Sequence, residues 1–201
     1  FETPTSENAM TGIGIGMSLN NNPCVMMHQR LDFFLLAMDQ LVNTAAKWHY
    51  MFGGKKNVPI TIRLVVGKGW GQGPTHSQSL QSWFAHIPGL KIVMPALPSD
   101  AYNLLKKSIR DPNPVIFIEH RWLHNLEQET KKIKYKNQKY LPELISKGRD
   151  FTAVSYSLST IEILSLKKVL DQNKISFDLI DLKSIKPLNI SIIRNSLKKT
   201  K

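Results

Sequence analysis

Cysteine is nearly missing from this chain: 201 residues contain one, Cys24, so no disulfide can close within it. A lone thiol points to a reducing compartment, and the cytoplasm is the expected home. Long apolar runs are missing as well. None approaches the roughly 20 residues needed to cross a bilayer, which argues against a membrane protein. The first residues do not combine a basic start, an apolar run and a small-residue cleavage site, so no secretory signal is read there. Acidic residues are scarce, 15 against 27 Lys and Arg, for a formal charge of +12. Two glycine signatures are also missing. Gly12, Gly14 and Gly16 follow one another at every second position, but Met17 stands where a dinucleotide turn of the form G-x-G-x-x-G needs its third glycine. The loop "GKGWGQGPTHSQ" (67–78) lacks the Lys-Ser/Thr pair that closes a P-loop around a phosphate.

The basic excess is concentrated in one half. Residues 1–120 hold 10 Lys and Arg against 7 Asp and Glu, whereas residues 121–201 hold 17 against 8. Its densest piece, "ETKKIKYKNQKY" (129–140), contains only Tyr135 and Tyr140 as aromatics. A nucleic-acid surface normally interleaves more rings or a recognition helix with such charge, so the piece reads as a solvated linker or domain edge and no nucleic-acid partner is expected.

What is present is a regular alternation. "PCVMMH" (23–28) reads as a short buried strand, and "DFFLLAMDQLVNTAAKWHYMF" (32–52) has apolar residues at helical spacing up to Gly53-Gly54. "VPITIRLVV" (58–66) is β-branched enough for a central strand; a helix near 78–86, the strand "KIVMP" (91–95), a helix over 100–110 and the strand "NPVIFIEH" (113–120) follow. Alternation of this kind implies an α/β fold with a parallel sheet covered by helices. A polar, Lys-rich stretch interrupts it before "FTAVSYS" (151–157), a helix near 159–173 and "SFDLIDL" (176–182). The expected organisation is therefore a first domain over 1–121, a linker over 122–149 and the start of a second α/β domain over 150–201. The chain opens on "FETPTSE" without Met and closes on "NSLKKTK", which suggests a piece truncated at both ends.

In "PTSENAMTGIGIGMSL" (4–19), Pro4 precedes helix-starting residues, so Glu7 belongs to the first helical turn and the glycines lie inside a helix. Glycine costs roughly 0.5–1 kcal/mol there relative to Ala, so three of them suggest that a backbone or a flat ligand comes close. From spacing alone, Glu7 is a carboxylate favoured by the helix dipole. His120 and His124 could clasp a metal if helical, but "VIFIEH" is a strand and offers no third ligand, so no metal site is expected on this chain.

The blocks "TPTSENAMTGIGIGMSL", "LLAMDQLVNTAAKWHYMFGG", "VPITIRL", "THSQSLQSWFAHIPGLKIVMP" and "IRDPNPVIFIEH" occur in order and without large gaps. Together they resemble the pyrimidine-binding domain of the β subunit of thiamine-diphosphate-dependent 2-oxoacid dehydrogenases. "GRDFTAVSYSLSTIEIL" and "ISFDLIDLKSIKPLN" are similar to the start of the transketolase-type C-terminal domain that follows in that family. In the full family the first sheet elements and the end of the last domain lie outside this chain.

The resemblance implies a thiamine-diphosphate-binding fold, oxidative decarboxylation of a 2-oxoacid and acyl transfer to a lipoyl carrier. Transketolase-like or acyloin-forming carbon ligation is the alternative within enzymes, and a basic scaffold or binding protein the alternative outside them. It implies that Glu7 stands at the family's catalytic position, where a carboxyl protonates the cofactor's pyrimidine nitrogen so that the neighbouring amino group becomes basic. Phe33 matches an aromatic that packs on the aminopyrimidine, although an ordinary core Phe is an equal reading. His76 in "HSQ" matches an active-site histidine that binds substrate and hands the acyl group on; a helix-capping or loop-stabilising histidine is the alternative, and a place just before a helix N-terminus would let it share anions with free N–H groups. Met27 stands where these relatives usually carry Glu, and "HQRLDF" (28–33) is polar and basic where theirs is apolar and aromatic, so His28 or Arg30 faces either the pocket, favouring an anionic or polar acyl group, or a subunit contact. The chain has no G-D-G, the family's start of its magnesium site. The resemblance thus assigns Mg²⁺ and the diphosphate to an α subunit in an α2β2 heterotetramer, with a lipoyl-bearing acyltransferase as further partner.

Overall fold

The computed structural model describes residues 2–20, 22–128 and 140–200. The Lys-rich piece 129–140 lies outside the described residues except for Tyr140. Helix α1 (Glu7–Leu19) leads to strand β1 (Cys24–His28), and a helical rod follows from α2 (Leu31–Phe34) to α3 (Ala46–Met51), with 3-10 and π turns between them. The rod stops where the sequence places Gly53 and Gly54, both with positive φ. Strand β2 (Ile60–Val66), α4 (Gln81–His86), β3 (Lys91–Val93), α5 (Pro98–Ile109) and β4 (Val115–His120) complete the first set of alternations. The second part holds β5 (Glu143–Ser146), β6 (Phe151–Ser155), α6 (Leu158–Gln172), β7 (Phe177–Asp181), β8 (Ser184–Lys186) and α7 (Ser191–Leu197).

The alternation read from the sequence is the one observed. Strands β1, β2, β4 and β3 run parallel, in that order. Strands β2, β3 and β4 bury apolar residues on both faces, as a covered parallel sheet requires, whereas β1, read from the sequence as a buried strand, lies at the sheet edge and leaves Val25 and Met27 exposed. One face carries Ile60, Ile62, Leu64, Ile116 and Ile118 into the main core under α1, the helical rod and α4. The other carries Val93, Val115 and Phe117 against Leu104 of α5. The stretch 122–149 is more than a connection. Tyr140 is buried beneath Lys91 and Lys107, whose ammonium groups lie 5.7 and 5.2 Å from its ring centre, and β5 pairs antiparallel with β7 in a second sheet of order β5-β7-β6.

One strand crosses between the sheets. β8, from the second part, adds antiparallel to β3 at the edge of the first sheet. Just before it, the peptide oxygen of Lys183 accepts from Met94 N at 2.9 Å, and Ser184 Oγ donates to Ile92 O at 3.0 Å. The Lys183 side chain is 1% exposed. Its ammonium donates to Asp100 Oδ1 of α5 at 2.7 Å and to Glu143 of β5. Burial works against the Lys183 charge, but Asp100 and Glu143 together hold its pKa above the ordinary lysine value. Removing one partner of such a pair leaves an uncompensated buried charge, so the trio resists separation of the two sheets.

Asp181, at the end of β7, is fully buried beside this trio. Burial first, and then the Asp100 charge, push its pKa up to about 6, against hydrogen bonds from Lys183 N and Thr160 and the Lys183 charge. An unfolded Asp titrates near ~3.9, so between about pH 4 and pH 6 the folded chain binds the extra proton and this group's contribution to stability falls as pH rises. Asp181 Oδ1 accepts both hydrogen bonds, at 3.2 Å from Thr160 Oγ1 and 3.3 Å from Lys183 N, whereas Oδ2 has no partner among the described residues. An amide keeps the acceptor and cannot ionise. Asp181→Asn is therefore expected to gain stability relative to the parent between pH 4.5 and pH 7, by about 2 kcal/mol, read from urea midpoints at both pH values. A difference that does not change with pH would contradict the assigned titration.

Candidate functional site

Parallel strands deliver their following loops to one edge, and a crevice outside the carboxyl ends is where open α/β sheets bind ligands. Here β1 ends at His28, β2 runs into the glycine loop at Gly67, and β4 ends at His120. Glu7 joins this group from another direction. Pro4 accepts a turn hydrogen bond from Ser6 N at 2.8 Å, and Ser6 O accepts the first helical bond from Met10 N at 2.9 Å, so α1 starts at Glu7. The carboxylate sits half-buried in the first turn, beside the free N–H groups of the helix.

Of the helix glycines only Gly14 meets a tight neighbour. A Cβ there would lie 2.5 Å from Met26 Sδ of β1, whereas Gly16 faces open space. The close approach expected at these glycines is thus to a side chain of the sheet, and it lets α1 settle on β1.

His28 is buried, with its ring edge-on to Phe34 at 4.8 Å between centres. Its Nε2 has no hydrogen-bond partner among the described residues. Burial lowers its pKa below the ordinary histidine value, and the Glu7 carboxylate is close enough to oppose that fall. Met27 turns the other way: in β1 it alternates with His28 and is 46% exposed.

Phe33 and His76 come together. Their rings meet edge to face, 5.4 Å apart at 89°. His76 occupies a 3-10 turn, Pro74–His76, while α4 begins only at Gln81. The expectation that it stands just before a helix N-terminus is therefore corrected. Four residues intervene because Ser77 Oγ closes back onto Gly73 O at 3.1 Å and Asp32 takes the next amide, Gln78 N, at 3.3 Å. His76 Nδ1 lies 3.1 Å from Thr75 Oγ1. Arg30, which the sequence leaves between pocket and subunit contact, is buried instead against the glycine loop: Nη1 donates to His76 O at 3.3 Å, Nη2 donates to Gln72 Oε1, and the guanidinium covers the Trp70 ring at 5.0 Å.

Trp70 is the part that sequence reading missed. Gly67 has φ +143°, and a Cβ there would come within 2.6 Å of the Trp70 ring, so the loop folds back upon its own indole. Arg121 approaches the same ring at 5.4 Å and Trp122 packs at 6.1 Å. A tryptophan amid four glycines was the available signal. His120 Nδ1 accepts from Trp122 N at 3.3 Å, which directs that nitrogen away from metal ligation. Among the described residues no three His, Cys, Asp or Glu side chains form a group able to hold a metal ion, and no helix is long and apolar enough to cross a membrane.

Comparison with known proteins gives this edge a context. Residues 1–125 match the family described as transketolase, pyrimidine binding domain, and residues 142–201 match transketolase, C-terminal domain. The chain is 37% identical over 200 residues to the beta subunit of acetoin:2,6-dichlorophenolindophenol oxidoreductase of Cupriavidus necator, covering 100% of this chain and 59% of that one. It is 38% identical over 200 residues to the pyruvate dehydrogenase E1 component subunit beta of Porphyra purpurea, covering 100% and 60%. With the corresponding subunit of Rhizobium meliloti it shares 35% over 203 residues, covering 99% and 44%. The chain thus spans about 60% or less of the length of these relatives. A solved structure titled split gene transketolase, inactive beta4 tetramer, superposes with a TM-score of 0.83 at 17% identity, over 100% of this chain and 62% of that one. At that identity the likeness is one of fold.

The Glu7–His28 proximity can be measured directly. His28 is expected to titrate below the ordinary histidine value, and Glu7→Gln, which removes a charge that favours the imidazolium, should lower its pKa further in an NMR titration. An unmoved His28 titration would separate Glu7 from this group.

Proposed function

The chain belongs to the transketolase pyrimidine-binding domain family, and from that premise we propose that it is part of the β subunit of a thiamine-diphosphate-dependent 2-oxoacid dehydrogenase component. The observation that carries this reading is the likeness along the entire chain to pyruvate dehydrogenase beta subunits. The edge groups fit the cofactor's flat, nitrogen-bearing pyrimidine: a half-buried carboxyl at a helix start, a buried imidazole nitrogen with no partner among the described residues, and an aromatic ring at the crevice.

Thiamine diphosphate, when bound, supplies a thiazolium that accepts the electron pair left when a 2-oxoacid loses CO2. Glu7 would exchange a proton with the pyrimidine nitrogen. Phe33 presents its ring to the pyrimidine, where an aromatic pair contributes about 0.5–1.5 kcal/mol beyond burial. His76 binds the substrate or the acyl acceptor from the loop. With no G-D-G in this chain, the diphosphate and Mg²⁺ fall to an α subunit in an α2β2 assembly, and a lipoyl-bearing acyltransferase receives the acyl group. A first domain over 1–121 and a second over 150–201, extended back to include β5, suit this reading, as does a reducing compartment such as the cytoplasm. The acetoin oxidoreductase relative favours a second reading, with an acyloin as substrate.

The two readings separate when the protein, assembled with its α subunit, is given pyruvate or acetoin and a dye acceptor. The chain alone is expected not to bind thiamine diphosphate in calorimetry; tight binding by it would sink the shared site. In the assembly, Glu7→Gln should retain cofactor binding and lose 10²–10⁴-fold in turnover, about 3–5 kcal/mol of barrier. Turnover at the parental rate would reduce Glu7 to a helix-dipole residue.

A further inference from the structure

The loop over 67–78 has little to fix its shape from within. Gly67, Gly69, Gly71 and Gly73 all have positive φ, and its own hydrogen bonds include a long His76 N to Gly73 O contact of 3.4 Å. Four glycines lose more backbone freedom on ordering than any other residues would, so a fixed loop needs restraint from outside. At its start that restraint comes from the residues after β4, where Trp122 Nε1 donates to Lys68 O at 3.0 Å and Arg121 and Trp122 pack on Trp70; around His76 it comes from one short segment that follows β1. Arg30 holds Gln72 and the His76 carbonyl and covers Trp70. Asp32 Oδ1 accepts from Gln78 N at 3.3 Å and from Gln78 Nε2 at 2.9 Å. Phe33 places its ring against that of His76. Three residues thus grip the loop on both sides of His76.

We propose that Arg30 is a positioning residue: its buried guanidinium clamps the glycine-rich loop to the end of β1 and so fixes the His76 ring against Phe33. Arginine suits the task because one planar fork reaches two acceptors while its face lies on an indole, an arrangement an ammonium cannot reproduce. The acceptors are an amide oxygen and a peptide carbonyl, so they orient the guanidinium without neutralising it. The restraint on the loop is a property of this fold alone; its effect on turnover rests on the proposed function.

Hydrogen exchange of the intact protein reads the restraint. In Arg30→Met the amides of His76 and Gln78 should exchange about tenfold faster, the scale of one lost hydrogen bond to a charged group, while those of β2 and β4 keep the parental rate. Arg30→Lys should fall between the two. Gln72 is exposed, so Gln72→Ala spares the core and removes the clamp from the loop side; it should also speed His76 exchange, and the double variant Arg30→Met/Gln72→Ala should exceed Arg30→Met by less than the sum. Parental exchange in a folded Arg30→Met, or in Gln72→Ala should Arg30→Met fail to fold, overturns the clamp, as does full additivity.

With the α subunit present, Arg30→Met should lower kcat tenfold or more with the KM for thiamine diphosphate unchanged, and Arg30→Lys should recover part of it. Full kcat in Arg30→Met overturns the positioning role. A parental assembly without thiamine-dependent turnover would instead remove the functional reading, and the exchange result would still decide the clamp.

Discussion

The candidate site depends on one constraint, the common direction of β1, β2 and β4. Because parallel strands need a crossover between them, each finishes at the same edge, and the residues immediately beyond each strand become neighbours despite their distance in sequence. His28, the glycine loop and His120 meet for this reason alone. Glu7 reaches the same edge because α1 precedes β1 and packs across it, with Gly14 allowing the approach to Met26. The register keeps these positions rigid. A one-residue slip of β1 would exchange buried His28 for exposed Met27 and turn the edge inside out.

A second constraint ties the two sheets. β8 leaves the second part to extend the first sheet, and a buried lysine between two carboxylates marks the crossing. Charged groups in such a place contribute geometry more than net stability, since their desolvation offsets much of their attraction. The gain is that α6 and Tyr156 are held near the first sheet: Tyr156 OH accepts from Gln81 Nε2 at 3.1 Å, and Glu162 of α6 is near enough to influence His120. The helix after the loop is therefore braced from the second part.

Much of the fold was legible because it depends on local pattern. β-branched runs such as "ITIRLVV" and helical spacing over 32–52 are read without knowing what they touch, and a covered parallel sheet is the arrangement that buries both faces of such strands. β8 was not legible. Three residues, Ser184 to Lys186, carry no periodicity, and only the distant pairing with Ile92 and Val93 makes them a strand. The same limit applies at the site. Glu7, Phe33 and His76 could be named from resemblance, and the structure brings Phe33 to His76, but the hydrogen-bond partners of Arg30 lie more than forty residues away on a glycine loop. No local rule connects them. His76 was expected at a helix start because "HSQSLQSWFAH" looks helical, yet Asp32 captures Gln78 N and delays the helix to Gln81.

The segment 28–33 sets buried polar groups among apolar ones just beyond β1, and its chemistry shows what each set does. An apolar run here would pack on the core and leave the glycine loop to find its own conformation. His28 and Arg30 instead are buried polar groups, one with a nitrogen that has no partner among the described residues and the other with neutral acceptors. Each costs desolvation that a leucine would not. Such costs persist when the surrounding structure holds the groups in place, and they concentrate where geometry matters more than stability. The Leu31 and Phe34 side chains between and beside them are completely buried, so the same short segment anchors itself in the core through one set of residues and reaches the loop through the other. That division lets a glycine-rich loop with few bonds of its own be positioned by the core-anchored segment that follows β1.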